Sequence, residues 1–149
     1  MVVVEVSEPD RAVVMLVTAK TDDDWFEYVR AVGELIDRNY EDGVVVQVFR
    51  RGLEMPSARA RKAMSELRGR VPADTVNVVV TPSVVMRMMQ TSLDWLRKPE
   101  YDSTTHPDFA SAVAHVEKVR GTKMPVLAQM LEAASRRERA MERDGHPPM

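Results

Sequence analysis

A mixed α/β layer fold is predicted for this chain by three observations. Val44-Val45-Val46-Gln47-Val48-Phe49 is a near-continuous β-branched run, and a second one stands at Thr75-Val76-Asn77-Val78-Val79-Val80. Both are bounded by segments with helical periodicity, as in parallel strands buried on both faces. The amino-terminal stretch reads instead as two short β-rich pieces joined by a turn, which adds an antiparallel hairpin to the mostly parallel centre.

The hairpin is Val2 to Val6 and Ala12 to Val17, separated by Ser7-Glu8-Pro9-Asp10-Arg11. Its proline and aspartate favour a turn over continued pairing. Thr21 then caps a helix in which Asp24, three residues on, completes a capping box and Asp22 to Asp24 complement the helix dipole. Trp25, Val29, Val32 and Ile36 recur at spacings of four, three and four, and with Leu35 and Phe26 they make the stripe that faces the sheet. Asn39 and Asp42-Gly43 end this helix and lead into strand 44–49.

A loop from Arg50 to Pro56 follows, and Ser57 is placed to cap the second helix, whose narrow apolar stripe is Ala60, Ala63, Met64 and Leu67. Gly69 and Pro72 stop it. After strand 75–80, Thr81 caps a third helix with Pro82 in its first turn, and Val85, Met88, Met89, Ser92, Trp95 and Leu96 mark its course up to Pro99. Tyr101 to Thr105 is a short edge strand. Pro107 opens a fourth helix carrying Phe109, Val113, Val116 and Val119, closed by Gly121. Residues 122–149 fall outside this alternation: Met124, Leu127, Met130, Leu131 and Ala134 make a further amphipathic helix, almost wholly charged from Arg136 to Asp144. The expected organisation is an α/β domain over 1–121, a helical extension over 122–144 with a solvated distal half, and a disordered tail over 145–149. The apolar half of the extension either packs back on its own domain or covers another chain.

At 149 residues without a cysteine, the chain is long enough to bury a core without staples, and thiolate nucleophiles, thiolate metal sites and iron–sulfur ligation are excluded. Met1-Val2-Val3-Val4-Glu5 has no basic segment before its apolar run, and the run is too short for a signal peptide or a membrane span, so a soluble cytoplasmic protein is expected. The net charge is only −2, but residues 21–42 carry a local balance of −6 and residues 50–70 one of +5. The first two helices therefore present surfaces of opposite sign, which can orient a partner or a second copy, or serve only as solvated faces.

The order β-β-α-β-α-β-α-β-α, with Ser57 at the start of the helix after the central strand, resembles the STAS superfamily, the anti-sigma-factor-antagonist fold. The resemblance covers residues 1–119. It is nearest to bacterial stand-alone members with a tryptophan-bearing third helix, here Ser92-Leu93-Asp94-Trp95-Leu96, and a final helix of the form Pro107-Asp108-Phe109-Ala110-Ser111-Ala112-Val113. It implies a non-enzymatic module that regulates through protein contact. It also implies that Ser57 stands where phosphorylated members carry their serine or threonine, with Arg59, Arg61 and Lys62 near in sequence. Met55-Pro56-Ser57-Ala58-Arg59 lacks the acidic residue before and the glycine after that mark such sites, so Ser57 reads either as a phosphosite or as a plain N-cap.

His106, His115 and His146 lack the i, i+4 spacing of a helical metal site, and Asp22-Asp23-Asp24 point in different directions from one helix, so no metal is expected. The chain has no phosphate-cradling GxxxxGK[ST], no GxGxxG and no GxSxG, so neither a cofactor nor a catalytic set is assigned. Arg50 and Arg51, before Gly52, could meet a phosphate or an acidic partner at the carboxyl edge of the central strand. Met86, Met88 and Met89 crowd the third helix with Val84 and Val85, so more than one of its faces is apolar, to be covered by the carboxyl-terminal helix or by a second chain.

The leading expectation is a regulatory or scaffolding protein acting through an unidentified protein partner, including a homodimer. Its candidate surface is Arg50, Arg51, Arg59, Arg61, Lys62, Met86, Met89, Met124, Leu127 and Leu131. The alternative is a domain that binds a small ligand, a nucleotide or lipid, in a real cavity between helices and sheet. A hydrolase using His106 with Asp108 is a distant third. Nucleic-acid and membrane binding are not expected, because the basic helix lacks interleaved aromatics and the chain as a whole is acidic.

Overall fold

The computed structural model describes residues 1–96 and 98–144. The tail 145–149 lies outside the described residues, as do the side chains of Val85, Ser92, Asp94, Trp95 and Leu96, which include part of the stripe assigned to the third helix. Along the described chain the elements are β1 (Val2–Ser7), β2 (Ala12–Val17), α1 (Asp22–Asp37), β3 (Val44–Phe49), α2 (Ala58–Arg68), β4 (Val76–Val80), α3 (Val84–Leu96), β5 (Asp102–His106), α4 (Phe109–Arg120) and α5 (Val126–Asp144). The strands form one sheet in chain order, β1-β2-β3-β4-β5. β1 is antiparallel to β2 and every later pair is parallel.

Because each parallel crossover steps one strand further in the same direction, the right-handed rule puts its helices on one side of the sheet. Side chains alternate accordingly. Val13, Met15 and Val17 of β2 join Trp25, Tyr28, Met64, Met86, Met89 and Leu93 from α1, α2 and α3. Ala12, Val14 and Leu16 point the other way, to Ala112 and Val116 of α4 and Leu127, Met130 and Ala134 of α5. With both faces covered, β2 is buried along its whole length and needs no polar alternation.

The extension therefore packs on its own domain. α5 lies across β1 and β2, Leu127 and Ala134 are fully buried, and each large aliphatic side chain so covered contributes about 1.5–3 kcal/mol. Its charged half is more engaged than the sequence suggests: Glu138 is 8% exposed and takes a two-pronged ion pair from Arg50, Nη2 to Oε1 at 2.9 Å and Nε to Oε2 at 3.3 Å. Arg137 Nη1 reaches the carbonyl of Val4 at 2.7 Å and Glu5 Oε1 at 2.6 Å. Nor does α5 cover the methionines of α3, which lie across the sheet from it.

The helix starts follow their capping chemistry. Thr21 and Asp24 form the reciprocal capping box of α1. Ser57 caps α2. α3 begins two residues later than Thr81-Pro82 suggests, because Ser83 rather than Thr81 accepts the Met86 N–H, at 3.3 Å, while Thr81 Oγ1 accepts from Ser83 N at 3.2 Å. Pro107 likewise precedes rather than opens α4: Asp108 is the cap, accepting the Ser111 N–H at 2.8 Å. Gly121 ends α4 with φ of +71°, a left-handed conformation that glycine adopts without steric cost.

Candidate functional site

Single polar residues break the apolar face of two inner strands. Gln47 of β3 and Asn77 of β4 are buried, and the parallel register sets Val45 opposite Asn77 and Asn77 opposite Ser103, which brings Gln47, Asn77 and Ser103 onto the face beneath α1, α2 and α3. There they join in a row. The Tyr28 hydroxyl of α1 donates to Gln47 Oε1, Gln47 Nε2 donates to Asn77 Oδ1 at 2.7 Å, and Asn77 Nδ2 donates to Ser103 Oγ at 3.3 Å. Burial, with the neighbouring Tyr101 hydroxyl, pushes the Tyr28 pKa well above its ordinary value, so the phenol keeps the proton it donates. Behind the row, buried Arg68 of α2 donates through Nη2 to Gln90 Oε1 of α3 at 3.1 Å.

A cavity of about 100 Å³ lies beside this row, between the sheet and the helical layer. Its floor is Val13, Met15 and Val45, and its mouth is at the amino ends of the strands, by Arg11, Tyr40 and Pro72. Val45 is only half-buried although it sits on the middle strand, because the opening reaches down to it. Among the described residues, the charged side chains of the lining are Arg11 and Arg68.

The carboxyl edge of β3, proposed from sequence for Arg50 and Arg51, is arranged differently. Arg50 is held by Glu138 and reaches toward Ser135 Oγ, 3.5 Å away, so α5 occupies that position; Arg51 is exposed in the loop. Ser57 has both of its hydroxyl functions engaged. Its Oγ accepts from Ala60 N at 3.1 Å and donates to Asp22 Oδ2 at 2.7 Å, while its own N–H donates to Asp22 Oδ1 at 3.1 Å. These bonds from the Ser57 side chain and backbone hold the Asp22 carboxyl below the usual carboxylate range. A carboxylate thus already faces the start of α2, where a phosphate would have to sit. Arg59 stacks on the ring of Phe26, 5.3 Å from its centroid, Arg61 is half-buried and Lys62 is exposed.

The apolar members of the surface proposed from sequence turn inward. Met86 and Met89 are each 2% exposed, Leu127 is fully buried, and Met124 and Leu131 pack against the α4–α5 core. Val84 and Met88 stand out from α3 instead.

His106 and His115 meet although the sequence keeps them apart. Their rings lie 5.4 Å apart, with His106 Nε2 on Thr104 Oγ1 at 2.8 Å and His115 Nε2 on Asp102 Oδ1 at 2.9 Å. Asp108 caps α4 and makes no hydrogen bond to His106. Burial and the adjacent His115 lower the His106 pKa. Among the described residues no His, Asp and Glu cluster could hold a metal ion, and no helix is long and apolar enough to cross a membrane.

No family model matches this chain, nor does any curated protein or solved structure. The fold itself is a mixed α/β layer, a five-stranded sheet with an amino-terminal antiparallel hairpin and parallel strands thereafter.

Proposed function

We propose that this chain is a non-enzymatic regulatory or scaffolding module that works through protein contact, including contact with a second copy of itself, in the manner its STAS resemblance implies. The observation that carries this reading is on α3. Val84 and Met88 stand one helical turn apart on the same side of α3 and are 60% and 67% exposed, two large apolar side chains presented together to the solvent. The neighbouring α2 adds the exposed Lys62, and α1 beyond it is acidic, a charge order that fixes how a partner can approach. The test pairs the wild-type chain with Val84→Asp/Met88→Asp. Light scattering over a concentration series, and capture with each protein as bait, should show a dimer or a retained partner for the wild type only. Identical behaviour of the two refutes the assignment.

A second reading, a small-ligand-binding domain, is favoured by the cavity and its buried polar row. A volume of about 100 Å³ is too small for a nucleotide, since pockets for such ligands run to several hundred Å³. It suits a molecule of one ring or a short chain. Saturable shifts of the Gln47 and Asn77 side-chain amide resonances on adding such molecules would support this reading, and their absence would end it.

A further inference from the structure

We infer that β5 is a self-docking edge: two copies of this chain join β5 to β5 in antiparallel pairing about a two-fold axis at Thr104, which makes one continuous sheet across both copies. This rests on the self-contact proposed above and gives it an address apart from the outer face of α3. β5 ends the sheet, and among the described residues its outer border pairs with no strand. At the opposite border, β1, Arg137 bonds the main chain of Val4; among the described residues no side chain does the same to β5. Asp102-Ser103-Thr104-Thr105-His106 contains no lysine or proline to deter pairing, its register with β4 runs without a bulge, and all five residues keep part of their surface in solvent.

Main-chain direction fixes the register. The Thr81 N–H donates to the His106 carbonyl at 3.0 Å, so His106, and with it Thr104 and Asp102, turns its main-chain groups toward β4. Ser103 and Thr105 turn theirs outward. An antiparallel pair centred on Thr104 sets each Ser103 opposite the other copy's Thr105, and the two exchange N–H and C=O bonds, once on either side of the axis. Thr104 meets its own copy as a non-hydrogen-bonded pair, in which side chains stand closest. A centre at Thr105 would instead bring Ser103 against Pro107, which has no N–H to give.

Side chains favour the same arrangement. Asp102 falls opposite the other copy's His106 at both ends, a carboxylate against an imidazole. Asp102 Oδ1 is taken by His115 Nε2 and His106 Nε2 by Thr104 Oγ1, while Asp102 Oδ2 and His106 Nδ1 make no hydrogen bond among the described residues. Parallel pairing in register would set Asp102 beside Asp102 and His106 beside His106, like against like. The occupant that fits this border is therefore a second β5, as a closed two-fold contact requires. Val119, one turn on from His115 on the side of α4 that meets Asp102, is 43% exposed and gives the contact an apolar margin.

Light scattering over a concentration series should give the wild-type chain twice its monomer mass. Thr105→Pro removes an outward N–H and leaves the ladder to β4 intact, so it should weaken the dimer about thirtyfold, the effect of two ordinary hydrogen bonds lost. Where circular dichroism shows Thr105→Pro disturbed, Thr104→Lys takes its place, setting two ammonium groups together on the axis. The chain has no cysteine, so Thr104→Cys carries a single thiol. Under mild oxidation it should give a covalent dimer, because the Cα atoms of a non-hydrogen-bonded pair stand about 4.5 Å apart, within disulfide reach. Met88→Cys, on the outer face of α3, should stay a monomer in the same denaturing gel. A wild-type dimer undiminished in the folded edge variant, or a covalent dimer through Met88→Cys and not through Thr104→Cys, overturns the β5 pairing and leaves self-contact through α3 standing. A wild-type chain that is monomeric up to millimolar concentration overturns both, and capture of a partner through α3 then decides the regulatory reading alone.

Discussion

Replacing Gln47 with leucine separates the worth of the polar row from the worth of the core around it. The amide bridges two buried partners, the Tyr28 hydroxyl and Asn77 Oδ1, and leucine, of similar volume, can serve neither. Two polar groups left without partners cost about 1–3 kcal/mol each, while the more apolar side chain returns roughly 1–2 kcal/mol, so at the middle of these ranges Gln47→Leu should destabilise the chain by about 2.5 kcal/mol. With a urea slope of about 2 kcal/mol/M, the midpoint falls by roughly 1 M at unchanged slope. The double-mutant cycle with Tyr28→Phe is the sharper readout. Alone, Tyr28→Phe should cost about 1 kcal/mol. In the Gln47→Leu background it removes the stranded hydroxyl and should cost nothing, giving a coupling of about 1 kcal/mol or more. A Gln47→Leu loss below about 0.5 kcal/mol, with the two changes additive, would refute the reasoning: water in the cavity would then be replacing the amide at no loss.

Other outcomes follow from contacts elsewhere. Leu127→Ala should cost about 2–5 kcal/mol in chemical denaturation, because the side chain is fully buried where α5 meets the sheet. Ser57→Ala should cost about 0.5–2 kcal/mol and move the NMR titration of Asp22 upward, since both the cap of α2 and the strongest bond to that carboxylate are lost. Ser57→Asp should destabilise more than alanine at neutral pH, with part of the deficit recovered in acid, because it sets a second carboxylate against Asp22. His106 binds its proton more weakly in the folded chain than the ordinary value of 6.5, so the unfolded state protonates first. Stability measured by urea midpoint should therefore fall as pH drops below about 6.5 and level off once the folded ring is also charged. His106→Phe should remove that part of the slope.

The framework was legible because its signals are local. β-Branched runs, a stripe at Trp25, Val29, Val32 and Ile36, and caps at Thr21 and Ser57 depend on neighbours within a turn or two, and the strands and helices came out where those signals stand. Boundaries slipped where two cap-forming residues compete, as with Thr81 and Ser83. The polar row was not legible, because it requires the parallel register that sets Asn77 beside Val45 and the helical phase that turns Tyr28 inward; a lone Gln or Asn within a valine run was the available hint. The His106–His115 contact is hidden in the same way, between a strand and a helix. Burial of Met86, Met89 and Leu127 could not be separated from partner binding either, since an apolar face looks the same in sequence whether its cover is the same chain or another.

Among the described residues the outer border of β1 pairs with no other strand, and its Val2-Val3-Val4 lettering is the kind that recruits copies of itself. Arg137 crosses that border from α5 and ties up the backbone oxygen of Val4. The last helix thereby covers part of that border. Its loss through proteolysis would uncover a template for end-on polymerisation as well as loosen the core.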